Sequence, residues 1–285
     1  MINKTDARPI GIFDSGLGGF CAVREVLKIL PDEDIVYFGD SGRVPYGSRS
    51  YETLKKYSRQ DMNFLISKDV KMIFIACGTV SSVALDYLKE IFPDIPIIGV
   101  VETACEKAVE TAKAAQNKNI GIIATEATIS RGAYKKYINE LDADCKVYEK
   151  ACPLFVPLVE YGHTDGKAGE EITKLTAGYY LSEFKDLNLS SLILGCTHYP
   201  MIKNIIREVM GVRAELIDVG LAAAHRLRNE LTERNLLNNA NQKGFLDIYI
   251  SDEPQSFTRT ASDFLGFDIN SGENSQVTQT DIEKY

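Results

Sequence analysis

Apolar, β-branched runs alternate with amphipathic stretches along almost the whole chain, from Ile10-Gly11-Ile12-Phe13 to Leu246-Asp247-Ile248-Tyr249-Ile250. Short continuous apolar runs bounded by polar turns read as strands buried on both faces, and the longer stretches between them carry the spacing of amphipathic helices. The pattern predicts strands near 9–14, 34–39, 72–77, 95–101, 119–125, 145–150, 190–196, 214–219 and 245–251. Helices are expected at about 18–30, 50–68, 80–91, 102–115, 128–141, 167–184, 200–210, 220–235 and 254–265. Such alternation builds βα units, so the expected fold class is α/β with mostly parallel sheet flanked by helices. Residues 270–285 are rich in Ser, Asn, Gln, Thr and Glu and are expected to fray or stay disordered.

A weak repeat underlies the alternation. Ile10-Gly11-Ile12-Phe13-Asp14-Ser15 resembles Ile120-Gly121-Ile122-Ile123-Ala124-Thr125, and in each half a later apolar strand ends at a cysteine. These are Ile73-Phe74-Ile75-Ala76-Cys77-Gly78-Thr79 and Leu192-Ile193-Leu194-Gly195-Cys196-Thr197-His198. Any two βα units look somewhat alike, which is the plainer reading. Taken as a true pseudo-repeat, the pattern gives two lobes, residues 1–98 with 211–285 carrying Cys77 and residues 99–210 carrying Cys196. Parallel sheets bind ligands at strand carboxyl ends, so facing lobes would bring the two thiols to opposite walls of one cleft.

The 285 residues, 45% hydrophobic, suffice for a sizeable core. Six cysteines (Cys21, Cys77, Cys105, Cys145, Cys152, Cys196) lack a short-period framework and read as reduced cytoplasmic thiols. Residues 1–8 are polar and no apolar run is long enough to span a bilayer, so neither a secretion signal nor a membrane partner is expected. A formal net charge of −8 disfavours nucleic acid as a partner. An anionic ligand must then be held by local groups such as helix N-termini.

Paired thiols suit a reaction that needs an acid and a base on opposite faces of one carbon, of which amino-acid racemisation is the plainest case. A thiolate is a competent base, tuned by its surroundings, and one thiol with one thiolate inverts the centre without a cofactor. Cys21, Cys105, Cys145 and Cys152 read as core residues. Asp14-Ser15-Gly16-Leu17-Gly18-Gly19 follows the first strand; its hydroxyl and amides suit a carboxylate, and Asp14 an ammonium group or the orientation of Cys77. The glycine spacing matches neither a dinucleotide fingerprint nor a phosphate loop. In the loop Gly39-Asp40-Ser41-Gly42-Arg43-Val44-Pro45-Tyr46-Gly47, Tyr46 offers a hydroxyl and Gly47 an N–H, with Arg43 and Asp40 read as a surface pair. Glu160, after a tight apolar run, suits the orientation of His198, although a solvated helix residue is the simpler reading. Cys196-x-His198 lacks the partners of a metal site, and no role is assigned to His163 or His225.

In this order the segments resemble the cofactor-independent glutamate racemases of the aspartate/glutamate racemase superfamily. The likeness spans about residues 9–267 and is carried by 11–19, Tyr37-Phe38-Gly39-Asp40, Pro45-Tyr46-Gly47, Ala76-Cys77-x-Thr79, 155–160 and Gly195-Cys196-Thr197-His198-Tyr199-Pro200. The resemblance implies that Cys77 and Cys196 are the acid/base pair, Asp14 assisting the first and Glu160 with His198 the second. It implies substrate contacts from Asp14, Ser15, Tyr46, Gly47, Thr79, Thr197 and His198. It also implies glutamate as substrate, D-glutamate supplied to peptidoglycan, and a homodimer. Racemisation of aspartate or another acidic amino acid, a two-lobed binding protein, and a regulator with secondary racemase activity are the alternatives. One position departs from the family: Gly78 stands where an Asn usually grips the substrate. Gly78 keeps a backbone N–H for that contact, and Gly78→Asn is expected to lower KM for glutamate by restoring the amide.

Overall fold

The computed structural model describes residues 6–162, 164, 166–211, 214–238, 242–252, 257–269 and 275–285. The chain begins with β1 (Ile10–Asp14), α1 (Phe20–Ile29), β2 (Ile35–Gly39), α2 (Tyr51–Ser67), β3 (Met72–Ile75), α3 (Gly78–Val83), α4 (Leu85–Ile91), β4 (Ile97–Gly99) and α5 (Val100–Ala114). There follow β5 (Asn119–Ala124), α6 (Glu126–Arg131), α7 (Ala133–Leu141), β6 (Lys146–Ala151), α8 (Phe155–Glu160), α9 (Gly166–Leu181), β7 (Ser191–Leu194), α10 (Lys203–Met210) and β8 (Glu215–Asp218). Last come α11 (Val219–Glu233), β9 (Leu246–Ile250), α12 (Phe257–Leu265) and β10 (Ser275–Gln279).

Two parallel sheets result, ordered β10-β9-β2-β1-β3-β4 and β6-β5-β7-β8. The run β2-β1-β3-β4 repeats the order β6-β5-β7-β8, with β1 answering to β5 and the cysteine strands β3 and β7 to each other. The repeat seen in the sequence is therefore a topological one. Strand residues alternate between faces: Met72 and Phe74 join the core packed under α1, while Ile73 and Ile75 join a second core that takes Leu54 and Phe64 of α2 and Leu85 of α4. The former core is continuous from the first lobe into the second.

The lobes exchange helices. α5 follows β4 of the first sheet but packs on α7 and β7 of the second lobe, and α11 follows β8 of the second sheet but packs on α1 of the first.

Several expectations change. The strand near 214–219 pairs with β7, so the chain returns to the first lobe at α11 and not near residue 211. The expected helices over 80–91 and 128–141 are each two helices, the latter parted by Gly132 with φ of +63°. The apolar run before Glu160 is a helix, α8. Of the closing stretch, residues 270–274 lie outside the described ones, but β10 adds to β9 in parallel, and Ile282 beyond it is buried in the first lobe. Among the described residues no helix is long and apolar enough to cross a membrane.

Candidate active site

Strand carboxyl ends bring the chemistry together. Asp14 closes β1, Cys77 lies two residues beyond β3, and Cys196 two beyond β7. All eleven residues singled out above (Asp14, Ser15, Tyr46, Gly47, Cys77, Gly78, Thr79, Glu160, Cys196, Thr197 and His198) line one interlobe cleft of about 480 Å³. The volume suits a small ligand.

Asp14 is fixed by the glycine turn after it. Its Oδ2 accepts from the N–H groups of Gly16 and Gly19, each at 3.1 Å, and the Tyr37 hydroxyl donates to Gly16 O at 2.6 Å. Burial raises the Asp14 pKa, and the charge of His198 and the turn's amides work against that rise. Gly18 of the same turn meets the other lobe: a Cβ there would lie 2.4 Å from both His198 Cε1 and Thr197 Oγ1. Only glycine allows that approach.

The two thiols stand in different surroundings. Cys77 Sγ donates to Ser15 Oγ at 3.5 Å, so Ser15 and not Asp14 makes the direct contact. Burial pushes the Cys77 thiol up to about 12, with the charge of Asp14 adding to the rise. On the opposite wall His198 Nδ1 lies 3.7 Å from Cys196 Sγ, and its Nε2 lies 3.0 Å from Glu160 Oε1. Burial alone would neutralise His198, but hydrogen bonds to Cys196 and Glu160 prevail and raise its pKa to about 10. The imidazolium is thus the form present at neutral pH.

Packing explains why Glu160 arrives there. The buried Phe155 of α8 meets Tyr199 edge to face at 5.2 Å, and the Tyr199 hydroxyl donates to Cys152 O at 2.9 Å. The turn that carries His198 is thereby fastened to the helix that carries Glu160.

Three expectations about the loops are revised. The Tyr46 hydroxyl is turned from the cleft and bonded to Asp40 and Asp61, so Tyr46 contributes its other atoms to the lining. Asp40 and Arg43 form a largely buried ion pair of 2.6 Å, because Asp40 sits under the loop against α2 and not at the surface. At Gly78 a Cβ would lie 2.9 Å from the backbone oxygen of Gly195 on the facing lobe, so the position has no free room for an asparagine side chain. His225 falls in α11, and His163 lies outside the described residues.

Thr125 and Thr128, their hydroxyls 3.0 Å apart, also line the cleft and were not picked out by sequence. The repeat contained the signal, since Thr125 occupies the place in its half that Ser15 holds in the first. Among the described residues none of the lining side chains is Lys or Arg. An anionic ligand there would meet hydroxyls, backbone N–H groups and the charged His198 ring.

The profile of the Asp/Glu/hydantoin racemase family matches residues 22–227. The chain belongs to that family. It is 42% identical to the glutamate racemase of Chlorobaculum tepidum over 261 residues, covering 92% of this chain and 93% of that one. With the glutamate racemase of Geobacter metallireducens it shares 39% identity over 276 residues, 97% of each chain. Among solved structures it is similar to the Francisella tularensis glutamate racemase in complex with D-glutamate, with a TM-score of 0.86, 38% identity, and coverage of 98% of this chain and 100% of that one. The Thermus thermophilus glutamate racemase in complex with β-chloro-D-alanine gives 0.82 and 35%, over 99% and 100% of the two chains. Family membership makes the chain an isomerase of the amino-acid racemase kind.

Proposed function

We propose that this protein interconverts L- and D-glutamate by two-base proton transfer between Cys77 and Cys196. The observation that carries the reading is the pair of thiols at matching strand ends of one cleft, in unlike electrostatic settings. The charged His198 ring stands beside Cys196, while burial and Asp14 favour a protonated Cys77. In one direction the Cys196 thiolate takes the Cα proton and the electron pair passes to the substrate carboxylate as an enediolate. Cys77 S–H then returns a proton to the other face, leaving Cys196 as thiol and Cys77 as thiolate. The reverse turnover restores the starting state.

Both proton-transfer groups come from the chain, so the chemistry calls for no cofactor. On this reading Asp14 would meet the substrate ammonium group, and Ser15, Thr79, Thr125, Thr128 and Thr197 would offer hydroxyls to its carboxylates with N–H groups from Gly47 and Gly78, all of them lining the cleft. The glutamate racemases among the relatives, one solved with D-glutamate, support glutamate as substrate. A homodimer, a cytoplasmic location, supply of D-glutamate for peptidoglycan, and lobes dividing near residues 98 and 218 complete the reading.

Exchange of the Cα proton for deuterium in D₂O tests it, with L- and D-glutamate, no added cofactor, and Cys77→Ala and Cys196→Ala alongside. Exchange and inversion of both enantiomers by wild type, with neither variant racemising, is expected. Turnover of aspartate but not glutamate would reassign the substrate, and inertness toward both would sink the reading.

A further inference from the structure

The loop that delivers Tyr46 and Gly47 to the cleft is held from its far side, and Arg43 is the centre of that hold. Arg43 Nε donates to Asp40 Oδ2 at 2.6 Å, Nη2 to Asp61 Oδ1 at 3.1 Å and Nη1 to Gln60 Oε1 at 2.6 Å. Its guanidinium lies 4.0 Å from the centre of the Tyr57 ring, which in turn packs on Tyr46. Asp40 and Asp61 are fully buried, and both also meet the Tyr46 hydroxyl. Burial, joined by the like charge of Asp40, raises the Asp61 pKa well above the usual carboxylate range. The Arg43 charge opposes that rise, and a further carboxylate can share it.

That further carboxylate comes from the far end of the chain. Glu283 Oε1 lies 3.3 Å from Arg43 Nη1, and Gln60 Nε2 donates to Glu283 Oε2 at 3.4 Å. The segment is seated and not merely adjacent. Ile282 is buried in the first-lobe core, the Tyr285 ring meets Phe64 edge-on at 5.2 Å, and Asn63 Nδ2 donates to the Tyr285 carbonyl at 3.4 Å. Gln60, Asp61, Asn63 and Phe64 all belong to α2, so helix, tail and loop meet around one guanidinium.

We propose that the C-terminal segment Ile282–Lys284, through Glu283 and Arg43, is a positioning element for the substrate loop. Neither Glu283 nor Arg43 lines the cleft; both act through Asp40 and Tyr46 on the backbone that does. The effect on substrate rests on the glutamate racemase reading of the cleft, whereas the effect on the loop does not.

The test uses the full chain, Glu283→Gln, and a chain ending at Thr280. Hydrogen exchange at the Tyr46 and Gly47 amides needs no substrate, and it should be faster in both variants. With glutamate, KM should rise about three- to tenfold in the shortened chain and about two- to threefold in Glu283→Gln, with kcat held within about twofold, because loop contacts serve ground and transition states alike. The Glu283 side chain is 59% exposed, so added salt should shrink the KM ratio between Glu283→Gln and wild type. Unchanged exchange in Glu283→Gln overturns the proposal, and so does an unchanged KM in an active enzyme. Should the shortened chain fail to fold, Glu283→Gln decides alone. Faster loop exchange in a protein inert toward glutamate would uphold the positioning role and refute the racemase reading instead.

Discussion

His198 stands between two acids of opposite purpose, its Nε2 3.0 Å from Glu160 Oε1 and its Nδ1 3.7 Å from Cys196 Sγ. The carboxylate fixes which way the ring faces and keeps it charged, and the charged ring faces the Cys196 thiol.

Glu160→Gln removes one of the two contacts that keep His198 protonated. Its pKa should fall from about 10, and the alkaline limb of the kcat/KM profile should move to lower pH. Activity near neutrality should drop by about ten- to a hundredfold. A pH profile of the variant checks both, and an unmoved alkaline limb would detach Glu160 from the proton balance of the site.

The same charge bears on stability. Folding raises the His198 pKa from 6.5 to about 10, so its stabilising contribution is complete below pH 6.5 and lost as pH rises toward 10. Wild-type Tm should therefore fall more steeply across that window than the Tm of His198→Asn. Parallel slopes would contradict a raised pKa.

Gly18→Ala would force a methyl into His198 and Thr197. Displacement of the wall that carries Thr197 and His198 by a fraction of an ångström should lower kcat/KM by about a hundredfold. Steady-state kinetics with a matched urea melt separates this from unfolding.

Gly78→Asn is now expected to lose activity instead of gaining affinity. Its Cβ meets the Gly195 carbonyl, a backbone atom that yields only if the lobes part. A fall in kcat/KM of about tenfold is expected. A lower KM at unchanged kcat would show that the cleft opens to admit the amide.

Tyr199→Phe removes one of two donors to the buried Cys152 carbonyl and leaves only the Phe155 N–H at 3.2 Å. Stability should drop by about 0.5–1.5 kcal/mol, read from urea unfolding, and kcat should fall because His198 loses its support against α8. An unaltered midpoint would mean that the Phe155 N–H alone satisfies Cys152.

The central strands were legible because β1, β3, β5 and β7 are buried on both faces and so lack the polar alternation that blurs a strand. β10 was not, because Ser275-Gln276-Val277-Thr278-Gln279 attaches by backbone pairing and carries a single large apolar side chain. The thiols, Asp14, Glu160 and His198 were legible as residue types at strand ends and helix boundaries. What spacing did not convey was contact between distant segments: the Tyr46 hydroxyl turned to Asp61, Arg43 buried beneath its loop, and Gly78 set against Gly195. The first two depend on how the loop seats on α2 and the third on which surfaces the lobes press together, and both are decided by the whole fold.

The exchanged helices carry a consequence for how the molecule is built. Neither lobe is self-sufficient: the first needs α11 to cover α1, and it is reached only after the second sheet is complete, while the second is covered by α5, which the first half of the chain supplies. With an apolar interior running unbroken between them, the halves should melt as one cooperative unit, and a fragment ending before α11 should not hold a native structure. The walls that carry the two thiols share one foundation.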